Sequence, residues 1–350
     1  MNKLLMIINS SSGGGAEKVF NSLYGGLKEE NELDVYYLYL KGNSTSRFWK
    51  FFAVFRYIWT LVKVKPDVVQ SHLLFPNMLN VFLCRLFNYK SQIVCHSSFE
   101  RFEGSKIEVF IKKLYGSAHS VICVSKEMAN QAKCFLGKPG CVEAIYNPHD
   151  LEKYEALAEK NVQLYFDDYF VVVGRLIKSK RINDIIDVLK KTETKENLLV
   201  VGDGEEYHTL LSHVKELGMD SRVKFTGSVD NPYPYIRNAK AMLLASETEG
   251  FPNCLVESLA LGVPVITSNC KTGPAELLGV SYQETKLKSV YKNCFIYPVG
   301  DLEGLEEAIK RFRGLNDNES ELKGSVAALN LTDVVKQYSH SIGKLLNNKV

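Results

Sequence analysis

No stretch of this 350-residue chain reaches the roughly 18 uninterrupted apolar residues that a membrane span requires. The opening MNKLLMIINSSSGGG has a lysine and an apolar run, but that run covers only Leu4 to Ile8. It falls below the roughly 7–15 residues of a secretory h-region, and a buried first strand is the better reading. The eight cysteines form no C-x-x-C pair and no Cys/His cluster at ligand spacing, which argues against structural zinc and a disulfide framework. Cys84, Cys95, Cys123, Cys254, Cys270 and Cys294 lie in or beside apolar segments, as small hydrophobes in a reducing compartment do. No D-x-D appears at a strand end, so a carboxylate pair for a divalent cation is missing there, and no metal or other cofactor is expected. Strong net charge is absent too. The total is +3, with 18 Lys and Arg against 12 Asp and Glu in residues 1–150 and 25 against 28 in the remainder. This does not indicate nucleic-acid binding, but it fits an N-terminal half that meets an anionic surface as well as it fits ordinary surface variation.

What is present is a repeated strand–helix alternation. Short β-rich runs at Leu4–Asn9, Leu33–Leu40, Asp67–Ser71, Gln92–Ser97 and Ser120–Val124 are each followed by a turn and a helix-length segment. The pattern restarts at Tyr169–Val173 and continues through Leu198–Val201, Val223–Phe225, Ala241–Ala245 and Val263–Thr267. Near-continuous apolar strands between amphipathic helices predict parallel sheets covered on both faces, and two series in succession predict two doubly wound α/β domains. The charged stretch Asp150–Asp168 lacks strand character and is read as the linker, with domains at 1–160 and 161–330. Residues 331–350 are expected to form a helix returning to the first domain.

Ligands of such sheets bind beyond the carboxyl ends of the strands, and three post-strand loops are chemically informative. After the first strand comes Ser10-Ser11-Ser12-Gly13-Gly14-Gly15 and a helix start at Ala16. The glycines and free helix N–H groups suit a phosphate, although a flexible turn reads equally well; the loop is neither a G-x-G-x-x-G fingerprint nor a Walker loop. Val173-Gly174-Arg175-Leu176 is followed by Lys180, so a guanidinium and an ammonium can converge on a diphosphate, or can be two surface cations. The most informative run is Ser246-Glu247-Thr248-Glu249-Gly250-Phe251-Pro252-Asn253-Cys254-Leu255-Val256-Glu257. Pro252 suits a first helical turn, Glu249 lies in the loop, and Glu257 is too deep in the helix to serve the helix dipole. Two carboxylates eight residues apart across a strand–helix turn suit a polyol, one for a sugar and one for a ribose, with the Gly250–Asn253 amides available to phosphate.

Glu249 and Glu257 match the E-x7-E motif, and the chain resembles the retaining glycosyltransferases of family 4, which have the GT-B fold. Gly14-Gly15-Ala16-Glu17, Gly174-Arg175-Leu176 with Lys180, Gly202-Asp203-Gly204-Glu205 and Gly262-Val263-Pro264-Val265-Ile266 occur in the family's order. Asn231-Pro232-Tyr233-Pro234-Tyr235 and Gly273-Pro274-Ala275-Glu276 resemble members that build bacterial surface polysaccharides, often from N-acetylhexosamine donors.

The resemblance implies two Rossmann-like domains facing a cleft and transfer from a nucleotide sugar, with UDP as the default nucleotide, to a saccharide or lipid-linked saccharide. It implies a cytoplasmic protein peripheral to the inner face of the membrane. It places Gly14 and Gly15 near the donor diphosphate, Arg175 and Lys180 on that diphosphate, Glu257 on the ribose, and Glu249 on the sugar beside Gly250, Phe251 and Asn253. His96 matches a histidine that contacts the donor sugar. Arg181 stands where the family usually has glycine, and Lys18 where it usually has arginine. His72 follows a strand and is read either as an acceptor contact or as a satisfied structural histidine; His149, His208, His213 and His340 read as loop or surface residues. An epimerase, a phosphorylase or a non-catalytic nucleotide-sugar-binding protein are the competing readings. A pyridoxal-phosphate phosphorylase would need a distinctive lysine, and a dehydrogenase the missing fingerprint.

The segment Ser46–Lys65, SRFWKFFAVFRYIWTLVKVK, has Trp49, Phe52, Phe55, Arg56 and Trp59 at helix-like intervals among five cations. It reads as an interfacial helix on anionic lipid. The alternative is a packed helix that buries Phe51, Phe55, Ile58 and Val62.

Overall fold

A computed structural model describes residues 1–11, 14–42, 48–192, 194–283, 286–291, 293–312 and 319–347. The chain divides into two compact units, Met1–His149 with Leu329–Val350, and Asp150–Ala328.

In the first unit six parallel strands, β1 (Lys3–Ile8), β2 (Asp34–Tyr39), β3 (Val68–His72), β4 (Lys90–Cys95), β5 (Ser120–Cys123) and β6 (Val142–Ala144), stand in the order β2-β1-β3-β4-β5-β6. β1 and β3–β5 are buried almost throughout, as strands covered on both faces must be. The chain winds from β1 outward to β2, then returns to β3 on the other side. The carboxyl ends of β1 and β3 therefore flank the topological switch point, where the loops diverge and leave a crevice. The helix Leu331–Asn347 packs within this unit on the helix Gly15–Glu29 and on β3 and β4. A side chain at Gly26 would meet Val335 at 2.4 Å, so glycine is what lets the two helices approach.

In the second unit β7 (Tyr169–Val173), β8 (Asn197–Val201), β9 (Val223–Gly227), β10 (Ala241–Leu244), β11 (Val265–Ser268), β12 (Lys288–Val290) and β13 (Cys294–Tyr297) form a sheet in the order β12-β13-β11-β10-β7-β8-β9. Only β12 runs antiparallel, to β13, among the described residues. The switch point lies between β7 and β10. Beside it the loops after β7 and β8 are joined by backbone hydrogen bonds, Gly174 N–H to Val201 O at 3.0 Å and Leu176 N–H to Asp203 O at 2.9 Å. A side chain at Gly202 would meet the Gly174 carbonyl oxygen at 1.9 Å, so this close backbone contact requires glycine.

Three features differ from the sequence reading. Asp150–Asp168 is not simply linker: Asp150 accepts from the Lys153 N–H at 3.1 Å and caps the helix Leu151–Ala158. That helix packs in the second unit on the helices Tyr233–Arg237 and Asn253–Ala260, so the units divide at 149/150 rather than at 160. The strands β6, β12 and β13 add to those read from the sequence. In the helix Trp49–Val64 the inward stripe is Ala53, Tyr57 and Leu61, one helical turn apart, with Ile58 partly buried. Tyr57 is fully buried because its hydroxyl meets that of Tyr89 at 2.9 Å. Phe51 and Phe55, the aromatics of the packed alternative, are 62% and 59% exposed, and Val62 is exposed beside them.

Candidate functional site

The switch point of the second sheet collects the charged residues. β7 is followed by Gly174 and exposed Arg175, and a short 3₁₀ turn, Lys178–Lys180, leads into the helix Ile182–Lys191. β10 ends in the loop that carries Glu249, and Pro252 precedes the helix Asn253–Ala260. The Glu247 N–H donates to the Ser179 carbonyl at 2.9 Å, locking the two loops together. Arg175 and Lys180 line one small cavity with Gly174 and Ala245.

Lys180 and Glu249 do not stand apart, each awaiting a ligand: they form an ion pair with each other, both largely buried. Burial lowers the affinity of the Lys180 ammonium for its proton, and the Glu249 carboxylate more than restores it, so the pKa is raised overall. The Glu249 backbone carbonyl is held by the Thr272 hydroxyl. Glu257 is buried in the helix, and its charge acts on the stacked rings of Tyr154 and Tyr233, whose centroids are 4.6 Å apart. Both phenol pKa values rise, through burial first and the Glu257 carboxylate second. Cys254 senses all three groups: burial pushes its thiol up to about 12, with Lys180 opposing and Glu249 and Glu257 adding. Lys180, Glu249 and Glu257 thus share one electrostatic neighbourhood. Gly250 is half-buried and Phe251 buried where the loop turns into the helix, and Asn253 is its first residue.

Arg181 is not a free surface cation. Its backbone sits at φ 49°, left-handed, the conformation that glycine adopts without strain. The side chain offsets that cost by pairing with Asp184 at 2.6 Å and Glu247 at 3.1 Å.

The first unit's switch point is furnished with neutral polar groups. Gly14 is extended at the N-cap of the helix Gly15–Glu29; residues 12 and 13 of the glycine loop lie outside the described residues. From this helix Phe20 meets the His72 ring edge-on at 5.2 Å. His72, fully buried at the end of β3, stacks on His96, which follows β4, with Nδ1 of His72 2.9 Å from Nε2 of His96. Burial lowers both imidazole pKa values, that of His96 to about 4, so neither ring is charged near neutrality. His72 is therefore the satisfied structural histidine of its two readings. His149 is not a surface residue: it is buried and its pKa is pushed down to about 3. His213 pairs with Asp187 at 2.6 Å.

All eight cysteines carry free thiols, and no cluster of metal-ligating side chains occurs among the described residues. Among the described residues no helix is long and apolar enough to cross a membrane. The first unit nevertheless exposes much apolar surface. Phe51, Phe52, Phe55 and Trp59 line the outer face of the helix Trp49–Val64, with Lys63 over the Trp59 ring at 5.1 Å. The sequence reading passed over a second exposed set, Ile107, Val109 and Phe110 flanked by Lys106, Lys112 and Lys113, whose signal was an apolar triplet in a lysine-rich stretch.

Two family profiles match in succession, Glycosyltransferase Family 4 over residues 14–153 and Glycosyl transferases group 1 over residues 157–323. The chain is similar to the amylovoran biosynthesis glycosyltransferase AmsD of Erwinia amylovora, 28% identical over 329 residues, 85% of this chain and 90% of that one. It is similar to the N-acetylgalactosamine-N,N'-diacetylbacillosaminyl-diphospho-undecaprenol 4-alpha-N-acetylgalactosaminyltransferase of Campylobacter jejuni, 28% identical over 308 residues, 80% and 84% of the two chains. In fold it resembles HepE of Anabaena, solved in complex with UDP-glucose, with a TM-score of 0.77 over 98% of this chain and 99% of that one at 17% identity.

Proposed function

Because this chain belongs to glycosyltransferase family 4 and has its GT-B fold, we propose that it moves a hexose or N-acetylhexosamine from a nucleotide sugar to a saccharide or lipid-linked saccharide in surface-polysaccharide synthesis. The observation that carries the reading is the charged cluster at the β7/β10 switch point: Lys180 paired with Glu249, exposed Arg175 on the same loop as Lys180, and Glu257 in the same electrostatic neighbourhood. A buried ammonium held by one carboxylate is poised for exchange. When a diphosphate takes Lys180, Glu249 is released to accept hydrogen bonds from the sugar hydroxyls. Glu257 holds the ribose, and His96 is a further partner of the donor sugar. UDP is the nucleotide of choice, in line with HepE, which was solved with UDP-glucose.

Transfer proceeds with retention. The acceptor hydroxyl oxygen bonds to the anomeric carbon on the face from which the phosphate leaves, through an oxocarbenium-like state. The bond from that carbon to the diphosphate oxygen breaks, and a phosphate oxygen takes the acceptor's proton. Arg175 and Lys180 stabilise the departing charge without a metal ion, and catalysis rests on positioning and electrostatics. An acceptor attached to undecaprenol, as in the name of the Campylobacter relative, would be membrane-borne. The exposed aromatic and basic face of the helix Trp49–Val64 suits docking at the inner face of the cell membrane. A thermal-shift panel of nucleotide sugars followed by product analysis tests the reading: stabilisation by a UDP-sugar and transfer to an acceptor are expected. Turnover to free sugar and nucleotide without an acceptor favours the epimerase alternative.

A further inference from the structure

Polar side chains fill the middle of the first sheet, where apolar ones are the rule. Gln70, His72 and Gln92 are all fully buried, and with Ser120 and Ser341 they form one continuous chain that ends on half-buried His96. The Gln92 Nε2 amide donates to the Ser120 hydroxyl at 3.3 Å and to the Ser341 hydroxyl at 3.1 Å. The Gln70 Nε2 amide donates to the Gln92 Oε1 oxygen at 2.7 Å. Gln70 therefore turns its Oε1 oxygen to His72, 3.1 Å from Nε2. An amide oxygen only accepts, so His72 carries its proton on Nε2 and its Nδ1 is bare. The 2.9 Å contact between His72 Nδ1 and His96 Nε2 then needs its proton from His96.

The opposite direction is disfavoured by the amide hydrogens. As drawn, both hydrogens of the Gln92 amide meet hydroxyls. Reversal would spend one of them on Gln70 and leave the other buried without an acceptor. The His72 ring cannot adapt by turning over, since both its nitrogens are engaged and a flip would put ring carbons in their places.

We infer that His72 is a positioning residue, which with Gln70 and Gln92 holds His96 as the neutral tautomer protonated on Nε2, leaving His96 Nδ1 as a bare acceptor. His96 Nδ1 makes no hydrogen bond among the described residues. That a sugar hydroxyl donates to it rests on the transferase reading above; the tautomer does not. A neutral ring of fixed tautomer offers a hydroxyl one acceptor and no competing donor, and adds no charge beside an oxocarbenium-like carbon.

The test is nitrogen NMR of the full chain labelled with 15N-histidine, at pH 7 and without nucleotide, with His96→Asn and His72→Asn providing assignments. Both rings are expected neutral with the proton on Nε2, and a scalar coupling should link His96 Nε2 to His72 Nδ1 across the hydrogen bond. His72→Phe keeps an aromatic ring but removes the acceptor, and should abolish the coupling and expose the His96 Nε2 proton to rapid exchange with water. His72→Asn, whose side-chain oxygen accepts, should restore its protection. Where His72→Phe melts far below the wild type, Gln70→Leu replaces it and should free the His72 proton from Nε2. A proton on His96 Nδ1, a charged ring at pH 7, or protection of His96 Nε2 unchanged in these variants overturns the inference. Since no nucleotide is present, these outcomes are separate from failure of the nucleotide-sugar panel.

Discussion

Both sheets are doubly wound, with one strand beyond the first strand in one and two in the other, and each opens its loops at a switch point beside its first strand, yet they are furnished with opposite chemistry. The first ends in glycines and two neutral imidazoles tied to a buried amide chain. The second ends in a guanidinium, an ammonium and two carboxylates. One kind of switch point thus carries two kinds of chemistry. Neutral groups in a hydrogen-bonded network fix directions without adding charge, whereas an incompletely matched charged cluster has interaction energy to offer an anion.

The largest effect expected is at the charged end. Arg175→Ala and Lys180→Ala should each lower kcat by about 10²-fold or more, the scale of lost charge stabilisation in a transition state. Both should fold, which circular dichroism and melting check; near-wild-type turnover in both would remove the clamp from the mechanism.

The exposed aromatic and basic face of the helix Trp49–Val64 belongs to the first unit, so membrane binding through it should be lost by changes there alone. With about 1 kcal/mol for each cation near an anionic surface, Lys50→Glu with Lys63→Glu should weaken liposome binding at low salt by about tenfold or more. Arg47, a natural companion, lies outside the described residues. Sedimentation with anionic vesicles at two salt concentrations reads this out, and no binding by the wild type even at low salt contradicts membrane docking.

The two acids should separate in calorimetry with nucleotide alone. Glu257→Ala, losing a ribose partner, should weaken UDP binding by about tenfold, the equivalent of one good hydrogen bond to a charged group. Glu249→Ala should leave UDP affinity intact, since it frees Lys180 for the phosphates, while transfer falls. Equal weakening in both variants would merge the roles assigned to them.

Acid should find the neutral end first. His96 and His149 have folded pKa values of about 4 and about 3, below the unfolded value near 6.5, so the unfolded chain binds more protons between these limits. Their contribution is complete above pH 6.5 and is lost as pH falls toward 4, by about 1.4 kcal/mol per pH unit for each ring. Trp49 and Trp59, the two tryptophans of the chain, both lie in the first unit, so tryptophan fluorescence melts follow that unit alone. His149→Asn should flatten the slope; an unchanged slope would assign acid lability elsewhere. The smallest expected effect is none: activity should survive excess EDTA after metal removal. Abolition with rescue by magnesium or manganese would show that Arg175 and Lys180 do not suffice for the leaving diphosphate.

Much of this was legible without coordinates, because strands and post-strand loops are local patterns. Val173-Gly174-Arg175 ends a strand by composition alone, and the Glu249–Glu257 spacing across a strand–helix turn follows from the residues between them. The E-x7-E resemblance then named the family. The helix Trp49–Val64 was legible as a helix but not in its facing: two apolar stripes run along it, and Ala53, Tyr57 and Leu61 turn inward because Tyr89 supplies a hydroxyl for Tyr57. Arg181 at a glycine position looked like a departure. Only its left-handed backbone explains the family's glycine, and only Asp184 and Glu247 explain what compensates for its absence.

The sequence by itself determined the fold class and the identity of the charged loops, since periodicity, turn residues and motif spacing are properties of contiguous chain. The tertiary structure alone decided what those groups face. Lys180 and Glu249 meet because β7 and β10 are neighbours in the sheet though 69 residues separate the pair, and His96 reaches Ser341 of the last helix through residues drawn from two strands. Pairings of that kind depend on strand order and burial, which no local pattern encodes.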